Sequence, residues 1–381
     1  MPETTSIEIK KNVEDGVITA ISVDTTTFDD GGKRVDGGVF SQLRQFGRHP
    51  VNFVISEVVL NEIHRHLAAS ISVKKERFSR DMSEACEFVE YNMAELAELR
   101  GRLDSLPSAE ELCTKKLKLF LDESAASVLS ADDFVAVSDI LRLYFTSQPP
   151  FQADNPKKSE FPDAIALLSL EQWATNNDTE IVVVSRDSDW AGFCAESKKL
   201  HLVRDLATAL SLFQSTEEIV EGMVERLRAA LSDESSEIFA AVRRTIENFD
   251  WHGHTSVEAN SQFEYEEEEI HADISRCCFV DDSENIKITE ICDDSVSVVF
   301  TLRVDGVVTV YYSFRKWDGI DREYLPMGSG SPSIDFSLNV SIVLNMPIKT
   351  GDLSDLEWDV EPDALHVDFD DIEPDWMSGR E

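Results

Sequence analysis

The stretch EIVVVS, residues 180–185, constrains the fold of this chain more than any other. It is short, continuous and β-branched, with no polar alternation. A strand of that kind is buried on both faces, which is the habit of a parallel sheet covered by helices. VITAISVD (17–24), VNFVIS (51–56) and LHLV (200–203) are its companions in the first half of the chain. Helical patterns lie between them. Ser56 is placed to cap EVVLNEIHRHLAASI, and helix-rich segments poor in glycine follow at about 74–104, 108–130 and 131–146. Strands alternating with helices in this order predict an α/β fold with a parallel sheet.

The pattern changes after Phe213. Residues 216–249 read as acidic helices, and 255–347 as short alternating runs such as SVSVVFTLRV, VVTVYYSFRKW and IDFSLNVSIVL. These predict an antiparallel, β-rich second domain, with Asp305-Gly306 as a hairpin turn. The expected division is an N-terminal extension (1–14), the α/β domain (15–214), a helical connector (215–250), the β-rich domain (251–350) and a flexible acidic tail (351–381).

Charge separates the halves. Residues 1–214 hold 23 Lys+Arg and 35 Asp+Glu, 23 − 35 = −12, whereas residues 215–381 hold 12 and 39, 12 − 39 = −27. Bulk charge of this sign repels nucleic acid, so any use of a phosphate backbone needs bound metal and local basic groups. The six cysteines include no CxxC pair, which supports neither a zinc site nor a disulfide framework. No apolar run reaches the ~20 residues of a membrane span, and MPETTSIEIKKNVEDG offers no signal-peptide core, so a cytoplasmic location away from membranes is expected.

Four acids stand where this topology gathers functional groups. Asp24 and Asp187 follow strands, and groups beyond the carboxyl ends of parallel strands converge. Asp163 begins a helix after Pro162, near the positive end of its dipole. Glu62 lies in the helix after the second strand. Glu57 competes with it, but the two point about 140° apart, so only one can face the sheet's carboxyl edge. Converging carboxylates repel one another, and hard divalent cations relieve that repulsion.

Four segments, VDTTTF, ISEVVLNE, PDAI and SRDSDW, taken in order over roughly residues 17–210, are similar to the signatures of PIN domains. Thr26 stands where that family usually has Asn or Ser, and the span between Glu62 and Asp163 is longer than in a minimal member. The resemblance implies a metal-dependent endonuclease with Asp24, Glu62, Asp163 and Asp187 as catalytic, metal-binding residues. Asp189 is a fifth candidate ligand, Thr25 and Ser185 support the ligands, and Lys157 and Lys158 meet substrate phosphates. Mg²⁺ or Mn²⁺ is the implied cofactor and RNA the favoured substrate, in a toxin-like or defence role. Two alternatives stay open: a DNA endonuclease of the flap type, and a non-catalytic scaffold whose acidic half binds a basic regulatory partner or mimics nucleic acid. A homo-oligomer is compatible with either.

Other candidates read as structural. His64 and His66 are two apart, cannot share a helix face, and are expected at the surface. Trp251-His252-Gly253-His254 reads as an interdomain loop, and EYEEEEI (264–270) as a solvated edge.

Overall fold

A computed structural model describes residues 6–88, 101, 107–151, 160–214, 218–280, 285–292, 295–318, 322–347 and 356–378. The chain divides into two compact units, Met1–Gln214 and Ser215–Glu381.

The first unit is built on a five-stranded sheet in the order β3-β2-β1-β4-β5, with β1 Ile18–Val23, β2 Asn52–Ser56, β3 Ser127–Leu129, β4 Glu180–Val184 and β5 Leu200–Val203. Every pairing is parallel. Ile21, Val23 and Ile181 to Val184 are all but inaccessible, as continuous apolar strands between two helical layers must be. The helix Phe161–Asn176 buries Ala164, Ala166, Leu167 and Leu170. Each of the two leucines removed from water contributes roughly 1.5–3 kcal/mol, and each alanine methyl less than about 1 kcal/mol. From β1 the chain runs outward to β2 and β3, then returns to add β4 and β5 on the other side. The order therefore reverses between β1 and β4, the switch point at which α/β sheets open a crevice.

Two features of this unit depart from the sequence reading. β3 lies in a segment read as helix-rich; it is only three residues long, with Ser127 and Val128 exposed, and carries no strand periodicity. The N-terminal extension is part of the unit, because the helix Ser6–Glu14 buries Ile9.

The second unit is organised by one long strand, β9 (Ser295–Asp318). β7 (Glu264–Phe279), β8 (Lys287–Ile291), β10 (Glu323–Gly330) and β11 (Ser333–Pro347) all pair with it antiparallel. Asp305-Gly306 is therefore no hairpin: it sits in the middle of β9. A Cβ at position 306 would lie 2.5 Å from the Asp273 carbonyl oxygen and 2.9 Å from the Phe336 ring. Glycine is there to let a ring and a neighbouring strand approach, not to turn the chain.

Three more expectations are corrected here. The connector helices Glu218–Ser232 and Glu237–Glu247 supply Leu227, Leu231, Val242 and Ile246 to the same core as Val298, Phe300 and Leu302, so they belong to the unit. The tail is folded over its described part. β12 (Glu357–Pro362) pairs antiparallel with β11, β13 (Leu365–Asp371) pairs parallel with β6 (Thr255–Asn260), and Val360, Leu365 and Val367 enter the core. Trp251–His254 is a short 3-10 turn whose Trp251 is buried in that core rather than a loop between domains. EYEEEEI forms part of β7, with Glu264 and Glu266 to Glu269 exposed.

No helix among the described residues is long and apolar enough to cross a membrane. Cys113, Cys194, Cys277, Cys278 and Cys292 are free thiols.

Candidate functional site

The switch point carries the site. β1 ends at Val23, and the next residue, Asp24, caps the helix Thr25–Asp30. Its Oδ1 accepts from the Thr25 N–H at 2.6 Å, and its Oδ2 from the hydroxyls of Thr26 (2.7 Å) and Ser185 (2.8 Å). The Asp24 N–H donates to the Val184 carbonyl at 2.9 Å, which ties the end of β1 to the end of β4. Asp24 is 4% exposed. Burial raises its pKa; the three hydrogen bonds oppose that, the charge of Asp187 adds to it, and the balance is upward.

β4 delivers the second acid. Asp187 caps the helix Ser188–Glu196, its Oδ1 accepting from the N–H groups of Asp189 (2.6 Å) and Trp190 (3.3 Å). The other two acids come from helices. Thr25 Oγ1 donates to Glu62 Oε2 at 2.8 Å, linking the helix Glu57–Phe88 to the end of β1. Asp163, in the first turn of Phe161–Asn176, accepts from the indole N–H of buried Trp190 at 2.8 Å. Its pKa is pushed up to about 7. Burial is the main cause, the Trp190 bond works against it, and the charges of Asp24, Asp187 and Glu62 add to it. All four predicted acids thus share one electrostatic field.

The supporting residues fall beside them. Thr25 holds Glu62, and Ser185 bridges Asp24 to the Asp187 N–H, from which it accepts at 3.0 Å. Asp189 enters through its backbone N–H on Asp187. Glu57 points elsewhere: its Oε1 accepts from the Ala131 N–H at 2.7 Å, at the start of another helix. Lys157 and Lys158 lie outside the described residues. His66 is not a plain surface residue. Its Nδ1 pairs with Asp29 at 2.9 Å, one helical turn beyond Glu62 and half-buried.

Three contributors escaped the sequence reading. Trp190 was visible only as the aromatic of SRDSDW, with nothing to say that its N–H reaches Asp163. Arg186 and Arg204 form an exposed basic rim: Arg186 Nε lies 3.2 Å from Asp30, and Arg204 donates to the Arg186 carbonyl at 2.9 Å. Arg186 stands inside the motif between Ser185 and Asp187, which was its one available signal.

Among the described residues, no three His, Cys, Asp or Glu side chains close into a ready metal cage. The carboxylates are instead held apart on separate hydroxyl and N–H donors, as uncompensated like charges should be. The donor set still fits a hard divalent cation. It is all oxygen, and ionising it builds up negative charge that no basic side chain among the four offsets. Mg²⁺ binds through one or two carboxylates and keeps its waters, so a closed cage is not required.

The fold and the cluster define an α/β unit with an acidic site at its switch point. Residues 21–190 match the family model described as PIN domain, so the first unit carries a PIN domain. Domains of this family are generally nucleases that use divalent metals. No curated protein and no solved structure matches the chain.

Proposed function

We propose that the first unit is a metal-dependent endonuclease acting on RNA. The observation that carries this reading is the convergence of Asp24, Glu62, Asp163 and Asp187 at the switch point, where burial first, and the charges of the other three acids after it, push the pKa of Asp163 up to about 7. Asp24 and Asp187 would be the principal holders of Mg²⁺ or Mn²⁺, with Glu62 and Asp163 completing the set. The bound cation supplies Lewis acidity, lowering the pKa of an attacking water and offsetting charge on the leaving oxygen.

The protein's own contribution is positioning. Thr25, Thr26 and Ser185 fix two of the carboxylates, so that little reorganisation remains when the cation arrives. Trp190 engages one oxygen of Asp163, and Oδ2 is left to orient the attacking water. Arg186 and Arg204 would meet substrate phosphates at the rim, offsetting the acidic bulk of the chain. RNA is preferred over DNA by analogy with the PIN-family nucleases that the motifs resemble. To the acidic second unit we assign a basic regulatory partner of a toxin-like, cytoplasmic nuclease, with the exposed glutamates of β7 as its contact.

Purified protein on labelled RNA and DNA, with Mg²⁺, Mn²⁺ or EDTA, tests the reading. Cleavage of RNA with either metal and none with EDTA is expected. Cleavage of DNA alone would move the substrate class, and no cleavage of either would leave the domain a scaffold.

A further inference from the structure

Two helices of the first unit meet beside the acidic site through two polar contacts rather than one. The helix Thr25–Asp30 carries Thr25 and Asp29, and the helix Glu57–Phe88 carries Glu62 and His66. Thr25 Oγ1 donates to Glu62 Oε2 at 2.8 Å. Four residues further along both helices, His66 Nδ1 lies 2.9 and 3.0 Å from the two carboxylate oxygens of Asp29. A carboxylate acceptor fixes the hydrogen on Nδ1, so the imidazole is the donor. Equal steps on both helices mean that they run side by side in the same direction, with the two rungs about 6 Å apart.

The first rung alone fixes Glu62 weakly. Val59, Ile63 and Leu67 are buried and seat their helix against the core. Measured from Glu62 at 100° per residue, that stripe is centred about 100° round the helix, whereas His66 lies only about 40° away. The apolar stripe sets how far the helix stands from the core, but one hydrogen bond on its flank resists roll and pivot poorly. A second rung one turn on resists both. Its two side chains are 30% and 32% exposed, and a solvated pair of this kind adds little stability, so its consequence is geometric. The end of the shorter helix is anchored in turn, since Asp30 lies 3.2 Å from Nε of Arg186, the residue before Asp187.

We propose that His66 is a positioning residue for Glu62: its bond to Asp29 holds the roll of the helix that presents this carboxylate to the divalent cation. This rests on the reading of the four acids as a cation site. Loss of a group that orients a metal-holding side chain weakens metal binding by about 10–100-fold, and His66 acts at one remove, through a helix, so the lower figure applies. His66 itself meets neither the cation nor RNA. Its loss therefore lowers kcat and leaves KM unchanged.

The test is calorimetric titration of Mn²⁺ into the full chain at pH 8, with steady-state cleavage of labelled RNA alongside and a metal-free melt to show that each variant folds. His66→Ala should bind Mn²⁺ about tenfold more weakly than wild type, with kcat reduced and KM for RNA unchanged. His66→Asn places an amide N–H where Nδ1 stands, and should bind Mn²⁺ and turn over as the wild type does. Wild-type Mn²⁺ affinity in His66→Ala, or a raised KM with unchanged kcat, overturns the proposal. So does a folded His66→Asn protein that binds Mn²⁺ weakly, which would make the ring, rather than its bond to Asp29, the requirement; this variant decides the matter even where alanine prevents folding. A wild type that binds no Mn²⁺ removes the cation site and the proposal together. A wild type that binds it, with a His66→Ala protein that binds equally well, removes the proposal alone.

Discussion

Asp163→Asn should stabilise the metal-free protein at pH 8 and by only about a third as much at pH 5. In the fold Asp163 ionises near 7 rather than at 3.8. Its contribution to stability is therefore fully present below pH 3.8 and is lost as pH rises through 7. At about 1.36 kcal/mol per pH unit, forcing the ionised form on the fold costs roughly 4 kcal/mol. Solvent reaching this half-buried carboxyl halves that, leaving about 2 kcal/mol. For a unit of this size a kilocalorie moves the melting temperature by about 2–4 °C, so the variant should melt about 4–8 °C above wild type at pH 8 in EDTA. Paired melts at the two pH values read the effect, and unrelated titrations cancel in the difference. Excess Mn²⁺ at pH 8 should close the gap by raising the wild type, since a ligand of the folded state stabilises it by mass action. A difference of the same size at both pH values would refute the electrostatic account of this residue.

Other outcomes follow from the same contacts. Glu62→Gln should abolish cleavage, whereas Glu57→Ala should keep it and lose about 1 kcal/mol of stability by leaving the Ala131 N–H unpaired; activity assays showing the reverse would contradict the helix register. Trp190→Phe keeps the buried ring but removes the donor to Asp163, so kcat should fall about tenfold and the pH–rate profile should shift alkaline, since Asp163 loses a bond that favours its charge. A chain ending at Thr350 should lose the cooperative unfolding of the second unit, because β12, β13 and the core residues Val360, Leu365 and Val367 go with it; an unaltered melt would mean that the tail adds nothing.

The first unit was legible because burial on both faces writes itself into sequence as continuous β-branched runs. An acid at the end of such a run has one place to go. Asp24 and Asp187 could be placed from their strands alone; helical phase allowed only one of Glu57 and Glu62, and the ISEVVLNE motif pointed to Glu62. β3 could not be seen, since a three-residue edge strand leaves no period to detect. Trp190 lies 27 residues from Asp163, and only packing brings its N–H across. The second unit misled in two ways. Asp-Gly carries the chemistry of a turn, but at Gly306 the missing side chain serves the Phe336 ring. The tail's acids suggested free chain, yet in Leu365–Asp371 they alternate with Leu365, Val367 and Phe369, which face the core while the acids face water.

The claim that these four carboxylates form a cation site is tested most directly by calorimetric titration of Mn²⁺ into wild type and Asp24→Asn at pH 8. The account predicts saturable binding with proton release by the wild type, as Asp163 gives up its proton, and an affinity weakened at least about 100-fold in the variant. A wild type that binds no Mn²⁺, or a variant that binds it equally well, would contradict it.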